Sequence, residues 1–169
     1  MSYRPELIFT VIIAQQGRPA GFAASSLGHQ PEDVYVQGVR RPASVIYAPH
    51  LGRAYVIAER IKHTSPRLSL LDLHVGLAEA ACASSQKLVP VEHAESSELQ
   101  NRLRYYGTHA GLGSYLADLA RLGVVDGVIV SPILDGGSAR GTLCLTRALQ
   151  RLADELGERW RIVVEDWRS

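Results

Sequence analysis

The opening third of the chain alternates short apolar runs with turn residues. Residues 7–14, LIFTVIIA, are almost continuously apolar and rich in β-branched side chains, which predicts a central strand buried on both faces. Residues 15–17 then turn the chain, so residues 20–25 are predicted to return antiparallel as a hairpin. Further extended segments are predicted at 34–39, where valines alternate with polar residues, and at 43–48, ASVIYA. This third therefore predicts an antiparallel β layer of three to five strands.

Residues 53–93 form the unit around which the other elements are predicted to be arranged. The apolar run 55–58 predicts a strand, and the run 88–91 predicts a second one. Between them, Pro66 suits the first turn of a helix, because proline lacks the N–H that this turn leaves unbonded. The sequence therefore predicts a helix over 66–84, with leucines and alanines on one face.

The rest of the chain alternates helix and strand patterns. The predicted elements are helices over 98–106 and 112–122, a strand over 124–132, a helix over 142–157 and a strand over 160–166. Gly107 and Gly123 are predicted to end the first two helices. A strand, a long helix and another strand in succession indicate a parallel crossover.

The composition fits one globular domain spanning 1–169. With 169 residues, 46% of them apolar, the chain is long enough to bury about two-thirds of its unfolded surface. The net charge of +1 argues against a strongly basic nucleic-acid clamp. Cys82 and Cys144 lie in apolar patterns and predict buried, reduced thiols, and no Cys/His spacing indicates a metal site. Because no run predicts a signal peptide or a membrane span, we expect a cytoplasmic protein.

The element order resembles that of the RNase H-like superfamily. The run AYVIAERIKHTSPRLSLLDLHVGLAEA at 54–80 is similar to the superfamily's strand, short turn and Ala/Leu-rich helix. The run IFTVIIAQQGRPAGFAA at 8–24 is similar to its opening strand pair, and 114–131 with 142–155 is similar to its closing helix, strand and helix. The resemblance implies an α/β fold in α+β order, RNase H-like, whose mixed sheet has N-terminal antiparallel strands followed by alternating helices and parallel strands.

The catalytic acids that the resemblance implies are mostly replaced. Enzymes of this superfamily use carboxylates to hold two divalent metals at a phosphodiester. The matching positions are Val11, Ser69 and Cys144, and only Glu92 is acidic. Because one acid does not hold two metals, the resemblance implies a catalytically degenerate module that binds nucleic acid or a protein partner.

Displaced acids would rebuild a metal site if they met in space. Asp72 and Glu79 share the predicted helix, Glu92 ends the next strand, and Asp135 follows a later one. Acids at strand ends are where such sites form in open sheets, and Mg²⁺ is implied only in that case. His93, beside Glu92, is the acid–base candidate. A solvated helix face explains the first two acids equally well.

One glycine-rich loop indicates an anion site. The loop DGGSARG at 135–141 lies between a predicted strand and a predicted helix. Its small residues allow backbone amides to approach a phosphate or carboxylate, and its arginine adds a positive charge. The predicted ligand residues are Gly136, Gly137, Ser138 and Arg140. A strand-to-helix turn without a ligand is the alternative.

A second loop resembles the pyrophosphate loop of the acetyl-CoA-dependent N-acetyltransferases. Gly111 and Gly113 stand in GTHAGLG before a helix, as the glycines of that loop do. In that family the loop follows its strand directly, whereas here the predicted helix over 98–106 intervenes. The two loops together make a CoA-dependent N-acyltransferase-like or nucleotide/phosphate-binding enzyme the alternative function, so whether the chain is an enzyme stays open.

Basic and aromatic residues give the candidate nucleic-acid contacts. Arginines beside tyrosines provide charge for phosphates and rings for stacking. The predicted contact residues are Arg40, Arg41, Arg102, Arg104 and Tyr105, and Arg53, Arg60 and Lys62 add to a local basic patch. His74 is predicted to be a hydrogen-bonded histidine in the core or at an interface. A structural or assembly protein, including a homo-oligomer, is the third possibility, because no motif is complete.

Overall fold

The computed structural model describes residues 9–14, 28–77, 102–132, 149 and 162–166. The elements in this part of the chain are β1 (Phe9–Ile13), β2 (His29–Val36), β3 (Val39–Ile46), α1 (Leu51–Thr64), β4 (Leu68–Leu77), β5 (Leu103–Gly107), α2 (His109–Leu122), β6 (Gly127–Pro132) and β7 (Ile162–Asp166). The strands predicted at 20–25 and 88–91 lie outside the described residues. So does the helix predicted over 142–157, except for Leu149, which is helical and buried.

The described strands form one mixed sheet in the order β2-β3-β4-β6-β1-β7, with β5 also paired to β4. β2 and β3 pair antiparallel, and the other pairings among the described strands are parallel. β2 and β7 stand at opposite ends of this order yet approach each other, so the sheet curls. A mixed α/β fold, as predicted from the sequence, is confirmed.

β1 is a central strand buried along its whole length. It pairs in parallel with β6 on one edge and with β7 on the other. The predicted central position is therefore confirmed. Parallel strands occupy both edges of β1, and residues 20–25, which are predicted to return antiparallel, lie outside the described residues. A continuous apolar run is typical of a strand in a parallel sheet with both faces covered.

Of the antiparallel layer predicted for the first third, the described residues contain the hairpin of β2 and β3. Gln37 and Gly38 form its two-residue turn, with φ of 50° and 76°. Two successive positive φ values give a turn whose twist matches that of the flanking strands. The extended segment predicted at 34–39 is thus confirmed outside this turn, and the one predicted at 43–48 is confirmed as far as Ile46.

α1 begins where the sequence pattern predicts a turn and a strand. Four small or apolar residues are buried at helical spacing: Ala54, Ile57, Ala58 and Ile61. His50 caps the helix, because its Nδ1 accepts a hydrogen bond of 3.2 Å from the Arg53 amide. The strand predicted at 55–58 is therefore wrong. Burial of one helical stripe outweighs the strand preference of the Tyr-Val-Ile run.

β4 occupies part of the segment predicted as a helix over 66–84. Leu71, Leu73 and Val75 face α1 and α2, and Leu70 packs on the opposite side of the sheet. Leu71, Leu73 and Val75 alternate with Asp72, His74 and Gly76, which is the period of a strand, although the leucine-rich run also fits one face of a helix. The helix prediction is wrong over Leu68–Leu77.

β5 and α2 follow each other directly. The predicted helix over 98–106 is wrong at its end, since Leu103–Gly107 is a strand. The predicted helix over 112–122 is confirmed and begins at His109. Gly123 ends it with φ of 61°, the left-handed conformation that glycine adopts without strain. In the described part of the chain, no helix is both long enough and apolar enough to cross a membrane.

Two apolar clusters lie on opposite faces of the sheet. The helix face, which is covered by α1 and α2, carries Val11, Ile13 and Val128 among its buried residues. The far face, turned away from both helices, carries Ile12, Val45, Leu70 and Ile129. Register partners on neighbouring strands point to the same face, and alternate residues of a strand share a face. The two clusters therefore show to which face each side chain of the central strands points.

His29, at the start of β2, makes stability depend on pH. Burial lowers the pKa of His29 from its ordinary value of 6.5, and the charge of Arg60 lowers it further. The unfolded chain therefore takes up a proton at a higher pH than the folded chain does, so stability falls as pH drops through 6.5.

We expect His29→Gln to lose less stability than the wild type between neutral and mildly acidic pH, measured as urea midpoints. His63→Gln, at an exposed position of α1, is the control and should retain the wild-type slope. Equal slopes for the wild type and His29→Gln would contradict this assignment.

Candidate functional site

β4 changes its neighbour in the middle of the sheet. It pairs with β3 through Leu71 and with β5 from Leu73 onward. Because β6 occupies the other edge of β4 over Leu70–Val75, β3 and β5 must share one edge. Asp72 lies at the junction between them. Such a break between neighbouring strands is where α/β sheets leave room for ligands.

Asp72 is the centre of a buried charged cluster. Its side chain is 0% exposed, and its Oδ2 lies 3.1 Å from His74 Nε2 and 3.4 Å from Arg102 Nη1. His74 and Arg102 are 13% and 17% exposed. The guanidinium compensates the buried carboxylate, as a buried charge requires. These three residues are called the Asp72 cluster below.

The imidazole of His74 lies between a hydrogen-bond acceptor, the Asp72 carboxylate, and a hydrogen-bond donor, the Arg102 guanidinium. Its Nε2 lies 3.3 Å from Arg102 Nη1 as well as 3.1 Å from Asp72 Oδ2. With a proton on Nε2 the ring donates to the carboxylate, and without one it accepts from the guanidinium. Nε2 cannot do both at once. The tautomer of His74 is therefore sensitive to whatever contacts Nδ1.

Tyr47 holds the arginine of the cluster in place. The Arg102 guanidinium carbon lies 5.1 Å from the centre of the Tyr47 ring. Tyr47 is the residue directly after β3. Stacking of this kind suits a planar guanidinium. The Asp72 cluster therefore ties together the end of β3, the middle of β4 and the start of β5.

Ser69, at the position of a metal-binding acid in the resembled superfamily, has a structural role. It lies on β4, fully buried, and not on a helix. Asp126 Oδ2 accepts hydrogen bonds from the Ser69 amide at 2.7 Å and from its hydroxyl at 2.9 Å. The Asp126 amide donates back to the Ser69 carbonyl at 2.9 Å. Ser69 and Asp126 thus join β4 to the turn before β6.

The glycines of the GTHAGLG loop make room for an aromatic ring. A Cβ at Gly111 would collide with the Tyr105 hydroxyl, and a Cβ at Gly107 would collide with it too. This hydroxyl donates to the Thr108 carbonyl at 3.1 Å, and the Tyr105 ring stacks on Tyr115 at 5.7 Å between centroids. Burial raises the pKa of both tyrosines. Tyr105 is therefore partly buried, and its ring stacks on that of Tyr115.

Two of the predicted ligand glycines belong to α2. Gly111 and Gly113 lie in its first turns, and Thr108 caps the helix by accepting from the Gly111 amide at 3.1 Å. The loop follows β5 directly, so the separating helix predicted from the sequence is not there. The space that a Cβ at Gly111 would occupy is filled by the Tyr105 hydroxyl, and the Gly111 amide is bonded to Thr108.

The arginines predicted to contact nucleic acid do not gather. Arg40 and Arg41 are exposed at the start of β3, where Arg40 pairs with Asp33, and that hydrogen bond and charge raise the Arg40 pKa. Arg102 stacks on Tyr47. Tyr47 follows Arg40 by seven residues, which is roughly 23 Å along an extended chain. Arg102 is also bound to the buried carboxylate.

The outward face of α1 combines exposed cations with an exposed aromatic ring. Arg53, Arg60 and His63 are exposed positions of α1 that lie outside its buried stripe. Tyr55 and Val56 are 51% and 47% exposed. These five residues are called the α1 outer face below. The sequence indicated the basic patch, but the strand prediction concealed its helical spacing.

The acid on this side of α1 is already paired. Glu59 lies 3.3 Å from Lys62 Nζ, which also donates to the Gly123 carbonyl at 3.1 Å. Lys62 therefore serves the junction of the two helices, at the carbonyl that ends α2. The positive charge of the α1 outer face thus comes from its two arginines.

Most of the predicted catalytic and anion-binding residues lie outside the described residues. They are Glu79, Glu92, His93, Asp135, Gly136, Gly137, Ser138 and Arg140. Of the predicted acids, Asp72 is described, and its Oδ2 is engaged by Arg102 and His74. No group of three or more His, Cys, Asp or Glu side chains gathers as a metal site in the described part. Sequence reasoning considered His74 but did not connect it with Asp72.

Comparisons with known proteins were made at three levels. Neither protein-family models, nor curated proteins, nor solved structures gave a match to this chain.

Proposed function

We propose that this chain is a binding module that holds single-stranded nucleic acid against the α1 outer face. The observation that carries the proposal is the half-exposed Tyr55 ring on a helix with two exposed arginines. Arg53 and Arg60 lie seven residues apart, about 10 Å along the helix axis. Guanidinium groups neutralise phosphates, and an exposed aromatic ring stacks a base without reading its identity.

The proposed mode is weak and independent of base sequence. With two arginines and a net charge of +1, few phosphates are neutralised, so we expect low affinity and a shallow salt dependence. The apolar side chain of Val56 adds contact area beside the ring. These features describe a module that positions a strand and performs no chemistry on it.

The RNase H-like assignment remains a prediction within this proposal. In that interpretation the module lacks the superfamily's metal chemistry, in keeping with Ser69 bonded to Asp126 and Asp72 bonded to Arg102. The assignment carries none of the argument, because β1 pairs in parallel on both edges where the superfamily resemblance implies an antiparallel partner.

The test is fluorescence anisotropy with a labelled oligothymidylate of about 20 nucleotides. We expect Arg53→Gln with Arg60→Gln to make the slope of log K against log salt less negative by about 1.4, since each phosphate contact contributes about 0.7. Tyr55→Ala should weaken binding by about 1–3 kcal/mol, the worth of one stacked base. Arg121→Gln is the matched control, because Arg121 is exposed on α2 and paired with Asp118.

An oligonucleotide that does not bind, or that binds the double arginine variant as it binds the wild type, would reject the proposal. A labelled acidic peptide serves as the competing probe. If the peptide binds with the same arginine dependence and the oligonucleotide does not, the α1 outer face is a protein interface.

A further inference from the structure

Three neighbouring parallel strands place polar side chains in one row on the far face. His74 of β4 is the register partner of Arg104 of β5 and of Ser131 of β6. Register partners point to the same side of a sheet, and alternate residues of a strand share a face. Leu70 and Ile129 pack on the far face, so His74, four residues after Leu70, and Ser131, two residues after Ile129, lie on that face too. Polar groups thus interrupt an otherwise apolar surface.

Within the Asp72 cluster, His74 uses only one of its two ring nitrogens, Nε2. Its contacts within the described chain, to Asp72 and to Arg102, both use Nε2. The two nitrogens of an imidazole point in widely different directions, so Nδ1 is directed away from the buried carboxylate. The side chain is 13% exposed, whereas that of Asp72 is 0% exposed. A ligand would therefore meet His74 first.

From this arrangement we propose a second ligand site, at which His74 Nδ1, with Ser131 beside it, binds a small oxyanion, a carboxylate or a phosphate. Imidazole N–H and hydroxyl groups are hydrogen-bond donors, and an oxyanion offers acceptors alone. Arg104, the register partner of His74 on β5, belongs to the same row. This site lies on the far face and is independent of the α1 outer face.

Binding fixes the proton on His74. An oxyanion accepts only from a protonated Nδ1. Nε2 then either accepts from Arg102 or, in the doubly protonated ring, donates to Asp72, and both partners are already within 3.3 Å. The Asp72 cluster is therefore prepared for either state, and His74 acts as the sensor of the ligand. Nothing covalent happens in this step.

The next residues along the strands border the site. Tyr106, which is 46% exposed, is the register partner of Gly76, two residues beyond His74. A Cβ at Gly76 would lie 2.8 Å from the Tyr106 ring, so the ring passes directly over this glycine. An apolar part of the ligand would contact that ring, at the carboxyl half of the strands where α/β sheets bind ligands.

The test is histidine ¹⁵N NMR of the full chain, titrated with inorganic phosphate and separately with acetate. His74 is assigned by comparison with His74→Gln. We expect Nδ1 of His74 to shift to the protonated form as the anion is added. Ser131→Ala should weaken the binding about tenfold, because it removes a hydrogen bond to a charged group. Ser114→Ala, at an exposed position of α2, is the control and should bind as the wild type does.

A response to phosphate alone assigns a phosphate ligand, and a response to acetate alone assigns a carboxylate. A His74 signal unchanged by either anion at about 50 mM, which saturates a millimolar site, would overturn the proposal. So would an unchanged affinity in Ser131→Ala. Loss of oligonucleotide binding at the α1 outer face would leave these readouts untouched, so the two proposals fail separately.

Discussion

Asp72→Asn lowers the free energy of unfolding by about 3 kcal/mol or more in our expectation, because it leaves a buried charge without its partner. The carboxylate that it removes is fully buried, and the Arg102 side chain that remains is only 17% exposed. The amide keeps the shape of the side chain, so packing changes little. The loss is therefore electrostatic, and urea unfolding at neutral pH measures it.

A double-mutant cycle separates the charge from the packing. Arg102→Met with Asp72→Asn removes both charges and should recover at least about 1 kcal/mol relative to the sum of the single variants. Asp118→Asn is the matched control: it breaks the Arg121 pair at 3.1 Å, where the two side chains are 50% and 64% exposed. It should cost less than about 0.5 kcal/mol, as surface pairs do. Strictly additive single variants would show that the Asp72 cluster is no ionic unit.

The elements predicted correctly from the sequence are those whose local signals are unambiguous. β1 is apolar except for Thr10, and a strand buried on both faces gives such a nearly continuous run. α2 ends at a glycine in the left-handed conformation, which the sequence marks directly. β6 and β7 were predicted as strands from their runs of β-branched residues.

The sequence pattern predicts a strand where α1 lies and a helix where β4 lies, and both errors have a physical cause. Tyr55, Val56 and Ile57 favour a strand locally. The helix forms instead because it buries one stripe of apolar side chains against the sheet. Pro66 was interpreted as the start of a helix. Instead, Ser65 caps the end of α1 through its amide and the Ile61 carbonyl, and the proline follows that cap. Proline is common at both places, so its position alone does not discriminate.

A helix at 66–84, as the sequence pattern predicts, does not bring the residues of the Asp72 cluster together. Residues two apart lie about 200° apart around a helix, whereas in a strand they share one face. Asp72 and His74 meet only in the second case. Arg102 is brought in by the pairing of β5 with β4, a contact between distant residues that no local pattern encodes. The strand predicted at 55–58 likewise does not reveal the α1 outer face, because that face depends on helical spacing.

Gly127→Ala should cost about 3 kcal/mol or more, at the upper end of what overpacking of a core produces. Gly127 pairs with Thr10 where β6 runs beside β1, and a Cβ there would collide with the Thr10 carbonyl oxygen. It would also stand 3.0 Å from Leu70 Cδ2 on β4. A side chain can rotate away, but a backbone carbonyl in the centre of a sheet cannot. β1 and β6 would have to separate.

Gly123→Ala is the control that isolates this steric cause. Gly123 has φ of 61° but no atom within 4 Å of its would-be Cβ, so alanine there should cost only the left-handed strain of about 1 kcal/mol. Gly127 is not among the described residues with positive φ, so its cost comes from contact alone. Combining Gly127→Ala with Leu70→Val relieves the leucine and not the carbonyl. Full recovery in that double variant would place the collision at Leu70 and refute the backbone argument.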